Sequence, residues 1–219
     1  MKTVNDIFDN VYCINLDRRS DRWDRVKKSF DDMGVKLTRF SAVDGKTLEL
    51  PENVHPAWNR DQHHNKYSIA CTLSHIELLK QAIEKGEKEI LVLEDDAEPC
   101  SDFTSLCLDY YSQLPDDYAF CYLGGNNITP PVTTSMANVC KTSFTKTTVG
   151  YIVKLDYIKK NLDLLEDNKW LFVIDEIYVH LQGMEEPLYI FNPRILHQFE
   201  SHSDITGKEA NYAVMKDLD

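Results

Sequence analysis

The spacing of apolar residues changes repeatedly along this chain, and the changes outline its elements. Residues 11–16, Val-Tyr-Cys-Ile-Asn-Leu, read as a first strand. Trp23, Val26, Phe30 and Met33 then recur at helical spacing, with Ser20 or Asp17 able to cap the start and Gly34 placed to end it. A second strand over 36–43 closes at the turn Asp44-Gly45, so the opening is βαβ-like. The clearest helix covers 67–85, where Ile69, Leu73, Ile76, Leu79 and Ile83 form one buried stripe and Gly86 stops it. Ile90-Leu91-Val92-Leu93 is an uninterrupted apolar run, the composition of a strand covered on both faces. A helix starting at Pro99 and Ser101 and running through Phe103, Leu106 and Tyr110 follows, with Ser101 and Asp102 as caps. The strand expected over 118–123 ends at Gly124-Gly125-Asn126-Asn127, small and amide residues that suit a turn or the close approach of a ligand.

Residues 128–147 are rich in Thr, Ser and Pro and predict a β-meander or surface loop before a strand over 149–154. Leu155, Ile158, Leu162 and Leu165 outline a helix, and Val173-Ile174-Asp175-Glu176 opens another with Ile177 and Leu181 on its apolar side. A short strand over 188–192 precedes Pro193. Strands alternating with helices predict an α/β domain with a mostly parallel central sheet. The polar stretch 46–65, with two prolines and His63-His64, reads as a functional loop or flap, its histidines solvated. The tail from His197 is polar, with His197, Gln198, His202 and Asp204 at its start. Without internal repeats or a linker, 1–219 reads as one domain, divided into halves of about 1–125 and 126–205 and a tail over 206–219.

Composition narrows the partners. Hydrophobic residues make up 42%, enough for a sizeable core, while the formal net charge of −12 argues against nucleic acid. A phosphate-bearing ligand would need a metal or a local arginine cluster. Neither a signal-peptide layout nor a stretch of membrane-spanning length is visible, and the six cysteines show no CxxC pairing or zinc spacing. Reduced, buried thiols and a cytoplasmic location are the expectation.

The candidate chemistry gathers at strand ends. Directly after the apolar run stand Glu94, Asp95 and Asp96. On an extended chain Glu94 and Asp96 would share a face roughly 6–7 Å apart along it, with Asp95 turned away. Two carboxylates ~4 Å apart repel by about 4 kcal/mol at an effective dielectric near 20. Such a pair calls for a cation, a shared proton or a polyhydroxyl ligand; the plainer alternative is an acidic, solvated turn. The carboxyl end of a buried parallel strand is where open α/β sheets bind ligands. Arg18, Arg19 and Arg22, behind the first strand, either receive phosphates or balance Asp17, Asp21 and Asp24. Ser74 and His75 reach the acidic cluster only if their helix folds back along the strand, and Asp175 reads, on the residues alone, first as a simple helix N-cap.

The order of these features makes the chain resemble the family 25 glycosyltransferases, which include lipopolysaccharide-biosynthesis and procollagen galactosyltransferases. The matching residues are Val11-Tyr12-Cys13-Ile14-Asn15-Leu16-Asp17-Arg18-Arg19-Ser20-Asp21-Arg22, Phe40-Ser41-Ala42-Val43-Asp44-Gly45, Cys71-Thr72-Leu73-Ser74-His75 and Leu93-Glu94-Asp95-Asp96-Ala97. Tyr122-Leu123-Gly124, Gly150-Tyr151-Ile152, Asp175-Glu176, Gln198 and Ser203-Asp204-Ile205 complete them. The resemblance implies a GT-A-like, Rossmann-type nucleotide-sugar-binding sandwich, a UDP-sugar donor carrying a hexose such as galactose or glucose, a glycan or other hydroxyl acceptor, and manganese or magnesium. It assigns Asp96, with Glu94 and His202, to the metal. Asn15, Asp17, Arg18, Arg22, Ser74, His75, Glu94, Asp95 and Gly124 fall to the donor, and Asp175 or Glu176 to the catalytic base. One departure stands out: where the family usually has Gly-Glu-Ile-Gly, this chain has Tyr67-Ser68-Ile69-Ala70. That change implies altered specificity or a non-catalytic binding descendant; a metal-dependent phosphohydrolase using the same carboxylates is a third reading. Oligomeric state is not legible in the residues.

Overall fold

A computed structural model describes residues 2–50, 52, 62–165, 173–184 and 188–210. Half of the 46–65 stretch, the His63 and His64 side chains and the end of the tail lie outside the described residues. A seven-stranded sheet forms the centre, in the order β2 (Thr38–Ser41), β1 (Asn10–Asn15), β3 (Glu89–Glu94), β7 (Phe144–Lys154), β5 (Phe120–Thr129), β8 (Leu188–Phe191) and β6 (Val139–Lys141). Strands β2, β1, β3, β5 and β8 run one way, and β7 and β6 run against them. This is the expected α/β layering with a mostly parallel sheet. The two sequence halves share the sheet, because β7 lies between β3 and β5.

The apolar run explains its own position. Ile90 and Val92 pack into the core on one face of the sheet, and Leu91 and Leu93 into the core on the other. All four are fully buried, each contributing roughly 1.5–3 kcal/mol relative to exposure. The first face is covered by α2 (Gln62–Glu84), α4 (Leu155–Lys160), α5 (Leu162–Leu165) and α6 (Ile174–Gln182). The second is covered by α1 (Ser20–Asp31) and α3 (Phe103–Tyr111), with Phe30 and Phe103 meeting edge to face at 5.2 Å.

Several expectations are corrected. The expected turn at Gly124-Gly125-Asn126-Asn127 is strand, because these residues continue β5 against β7 through shifts of register. A Cβ on Gly124 would lie 2.2 Å from the Leu196 carbonyl oxygen, so the glycine admits a neighbouring strand. The 128–147 segment supplies β6 and the start of β7, and the helix over 155–165 is broken into α4 and α5. Neither Ser20 nor Asp17 caps α1, whose N-cap is Arg19, and α3 starts from Asp102 without a side-chain cap bond. The cap of α6 is Val173, which leaves Asp175 inside the first turn. Short strands were not legible: β4 (Ala97–Pro99) pairs with β9 (Leu196–Gln198), and the polar tail forms a hairpin of β10 (Ser201–Ser203) and β11 (Lys208–Ala210). All six cysteines are free thiols. Among the described residues, no helix is long and apolar enough to cross a membrane.

Candidate active site

The site forms where β1 and β3, paired in parallel, reach their carboxyl ends. Strand β3 stops at Glu94, and Asp95-Asp96 turn out of it before β4 begins. The extended geometry expected for Glu94 and Asp96 is therefore absent, and Asp95 is not turned away. All three carboxylates line one cavity of about 160 Å³ with Arg22, Tyr67, Cys71, Ser74, Gln198 and Asp204 among its other walls.

Each carboxylate has its own partners. Asp95 accepts from Asn15 Nδ2 at 2.7 Å and from Arg22 Nη1 at 2.7 Å. Asn15 in turn accepts from Arg39 Nε at 2.8 Å and donates to the Arg19 carbonyl. Glu94 Oε1 meets His75 Nε2 at 3.2 Å and accepts from the Thr148 hydroxyl. Helix α2 does fold back along β3, and His75 is completely buried there, its Nδ1 2.8 Å from Tyr151 Oη. Among the described residues, the Asp96 carboxylate takes only the Gln198 side-chain amide, at 3.2 Å on Oδ2. Its Oδ1 is buried and finds no hydrogen-bond partner among the described residues.

Burial and proximity divide the charge. Burial, then the neighbouring Glu94 charge, pushes the Asp96 carboxyl up to about 7. Burial also works to raise Glu94, but His75, Thr148 and Arg22 outweigh it and hold this carboxyl below its ordinary value. The metal-free pair thus keeps its charge on Glu94 and its proton on Asp96. Asp95 is raised by burial despite Arg22 and Asn15. Asp175 is pushed up to about 6, first by burial and then by Glu94, against His75, Lys146 and the Thr147 N–H. A buried carboxylate oxygen without a donor, beside a second ionised carboxylate, fits a hard divalent cation.

The remaining candidates are placed as follows. Ser74 lines the cavity and accepts from the Val43 N–H at 2.9 Å, fastening the loop after β2. Arg18 is outside the cavity wall, shared between Asp44 at 2.8 Å and Asp204 at 2.7 Å, while Arg19 holds the other Asp204 oxygen at 2.7 Å. The arginines are balanced, as one reading had it, but mainly by distant acids. Asp17 is 72% exposed and paired with Arg39. The His202 imidazole is half exposed and pairs with Glu209 at 3.4 Å, away from the cavity wall; only its carbonyl reaches Arg22. Asp175 accepts from the Thr147 N–H at 3.1 Å, and Glu176 is taken by Lys146 at 2.6 Å. Neither borders the cavity. Ser68 is buried, its carbonyl accepting from Thr72, while Tyr67 and Ala70 face the cavity.

Thr147 and Thr148 were missed. Thr147 has φ 69°, the left-handed region that a β-branched residue rarely enters, and this bend aims its N–H at Asp175 while Thr148 reaches Glu94. No periodicity signals such a pair. It becomes visible only once β7 is known to lie antiparallel to β3, with Gly150 opposite Leu93.

A buried acidic cluster at the carboxyl ends of parallel strands stands where open α/β sheets bind ligands. The chain belongs to Glycosyltransferase family 25 (LPS biosynthesis protein), whose profile matches residues 8–178. A Drosophila melanogaster glycosyltransferase 25 family member is 28% identical over 161 residues, covering 67% of this chain and 26% of that protein. Human procollagen galactosyltransferase 2 is 27% identical over 170 residues, covering 70% and 27%. A Bos taurus protein named probable inactive glycosyltransferase 25 family member 3 is 25% identical over 172 residues, covering 71% and 29%. The chain thus spans about a quarter of the length of these curated relatives. The solved glycosyltransferase involved in glycosylation of the major capsid of PBCV-1 aligns with a TM-score of 0.48 at 11% identity, covering 84% of this chain and 81% of that one.

Proposed function

We propose that this domain is a metal-dependent glycosyltransferase that moves a hexose, galactose or glucose, from a UDP-sugar to a hydroxyl of a glycan or other acceptor in the cytoplasm. The observation that carries the reading is Asp96, a buried carboxylate with an unpartnered oxygen in a cavity it shares with Glu94 and Arg22. Asp96 and Glu94 would hold manganese or magnesium, which when bound supplies positive charge for the diphosphate leaving group. Arg22 stands in the same wall and can exchange part of its Asp95 contact for a phosphate oxygen. Asp175, raised toward neutrality by burial, is better suited than the Lys146-bound Glu176 to take the acceptor's proton.

Family membership and the sequence order of the site residues support this reading. UDP release from a panel of UDP-hexoses, with manganese and a glycan-acceptor array, tests it: transfer of at least one sugar is expected, and no binding or turnover of any donor would end it. The buried Ser68, standing where the family usually has an acidic residue, favours one second reading, a binding descendant without transfer. Donor binding with no product on any acceptor would select that alternative.

A further inference from the structure

Cys71 and His75 lie one turn apart on the same face of α2, and Glu94 closes on them from the end of β3. The Cys71 sulfur, a His75 ring nitrogen and a Glu94 carboxylate oxygen lie within 4.8 Å of one another. The His75 Nε2 to Glu94 Oε1 separation is 3.2 Å. In a tetrahedral zinc site, metal–nitrogen and metal–oxygen bonds near 2.1 Å place those two atoms about 3.4 Å apart, with the sulfur at about 3.6 Å. Two donors already stand near an edge of such a tetrahedron, and the Cys71 sulfur is within 4.8 Å of both.

The surroundings are those of a ligand set. Tyr151 Oη holds His75 Nδ1 at 2.8 Å, which fixes the ring with Nε2 directed at Glu94. Thr148 orients the carboxylate by donating to the same oxygen. Such partners behind the ligands set ring orientation and tautomer. Cys71 and Glu94 border the cavity whereas His75 does not, so a fourth coordination position would open toward it. Sulfur and imidazole select a softer ion than the carboxylate oxygens of Asp96 do.

We propose that Cys71, His75 and Glu94 form a binding site for a thiophilic divalent cation of the zinc class, adjacent to the hard-cation site at Asp96 and sharing Glu94 with it. Binding releases the Cys71 thiol proton to solvent and leaves a thiolate–metal bond. The inference does not depend on the donor reading, because it needs neither nucleotide-sugar nor turnover.

Cobalt(II) titration of the purified metal-free chain tests it. One equivalent should give the intense thiolate-to-cobalt charge-transfer absorption and tetrahedral visible bands, bleached by one equivalent of zinc. Cys71→Ser should abolish the charge-transfer band, while Asp96→Ala should retain it. Iodoacetamide mapping of the wild-type protein guards against a misfolded variant: zinc should suppress labelling of Cys71 and leave that of the partly exposed Cys100 unchanged. Absence of the band, its persistence in Cys71→Ser, or equal labelling of Cys71 with and without zinc would overturn the proposal.

Discussion

Replacing Asp96 by Asn should change the pH dependence of the metal-free protein's stability in a calculable way. The Asp96 carboxyl rises from 3.8 to about 7, first through burial and then through Glu94. Between those values the folded chain holds a proton that the unfolded chain has lost. The contribution is therefore fully present below the unfolded value and is lost as pH rises through about 7. Integrated from pH 5 to pH 8, that loss is about 3 kcal/mol. Asn has no proton to release, so Asp96→Asn should gain about 3 kcal/mol on the wild type across the interval, or roughly 6–12 °C in Tm. Urea and thermal melts of both proteins in EDTA at several pH values measure the difference directly, and the titration of other groups largely cancels. Saturating manganese at pH 8 should restore the wild type's advantage by binding only the folded state. A variant-to-wild-type difference that is flat with pH would show that Asp96 ionises like an exposed aspartate, and would refute the buried, cation-seeking carboxylate.

Three further outcomes test other parts of the structure. Gly124→Ala should destabilise the fold by about 1–3 kcal/mol or more, because its Cβ meets the Leu196 backbone at 2.2 Å; wild-type urea stability would disprove that packing role. Arg22→Ala should cost about 3–5 kcal/mol by leaving the buried Asp95 charge without its cationic partner, and it should weaken UDP affinity; a loss under a tenth of that size would mean Asp95 is solvated. If Asp175 is the base, transfer should fall as pH drops through about 6, where this carboxyl gains its proton. A rate that is flat from pH 5 to 8 would remove Asp175 from that role.

Some of this organisation was readable from the residues because it is local. The continuous apolar run at Ile90-Leu91-Val92-Leu93 marks a strand buried on both faces, and the Ile69 to Ile83 stripe marks the helix that packs beside it. The acidic triplet after that strand was equally visible, and all three of its residues line the cavity. Their separate partners were not visible, since the i and i+2 rule holds only while the strand continues, and β3 ends at Glu94. The β4–β9 pair and the β10–β11 hairpin were illegible because short strands carry too few residues for a period. The reach of Thr148 to Glu94 depends on an antiparallel neighbour that a parallel reading of the sheet does not supply. Gly124 was legible as a place of close approach, but the residues alone did not show that Leu196 of the chain's own backbone is the neighbour it admits.

If Asp96 brings a divalent cation to a nucleotide-sugar, as proposed, UDP binding requires both the metal and that carboxylate. Calorimetric titration of UDP into the wild type and Asp96→Ala, each with manganese and with EDTA, tests it most directly. The wild type should show saturable binding with manganese and lose it in EDTA, and the variant should show no metal-dependent binding. Equal UDP affinity in the two proteins with manganese, or wild-type binding indifferent to EDTA, would contradict it.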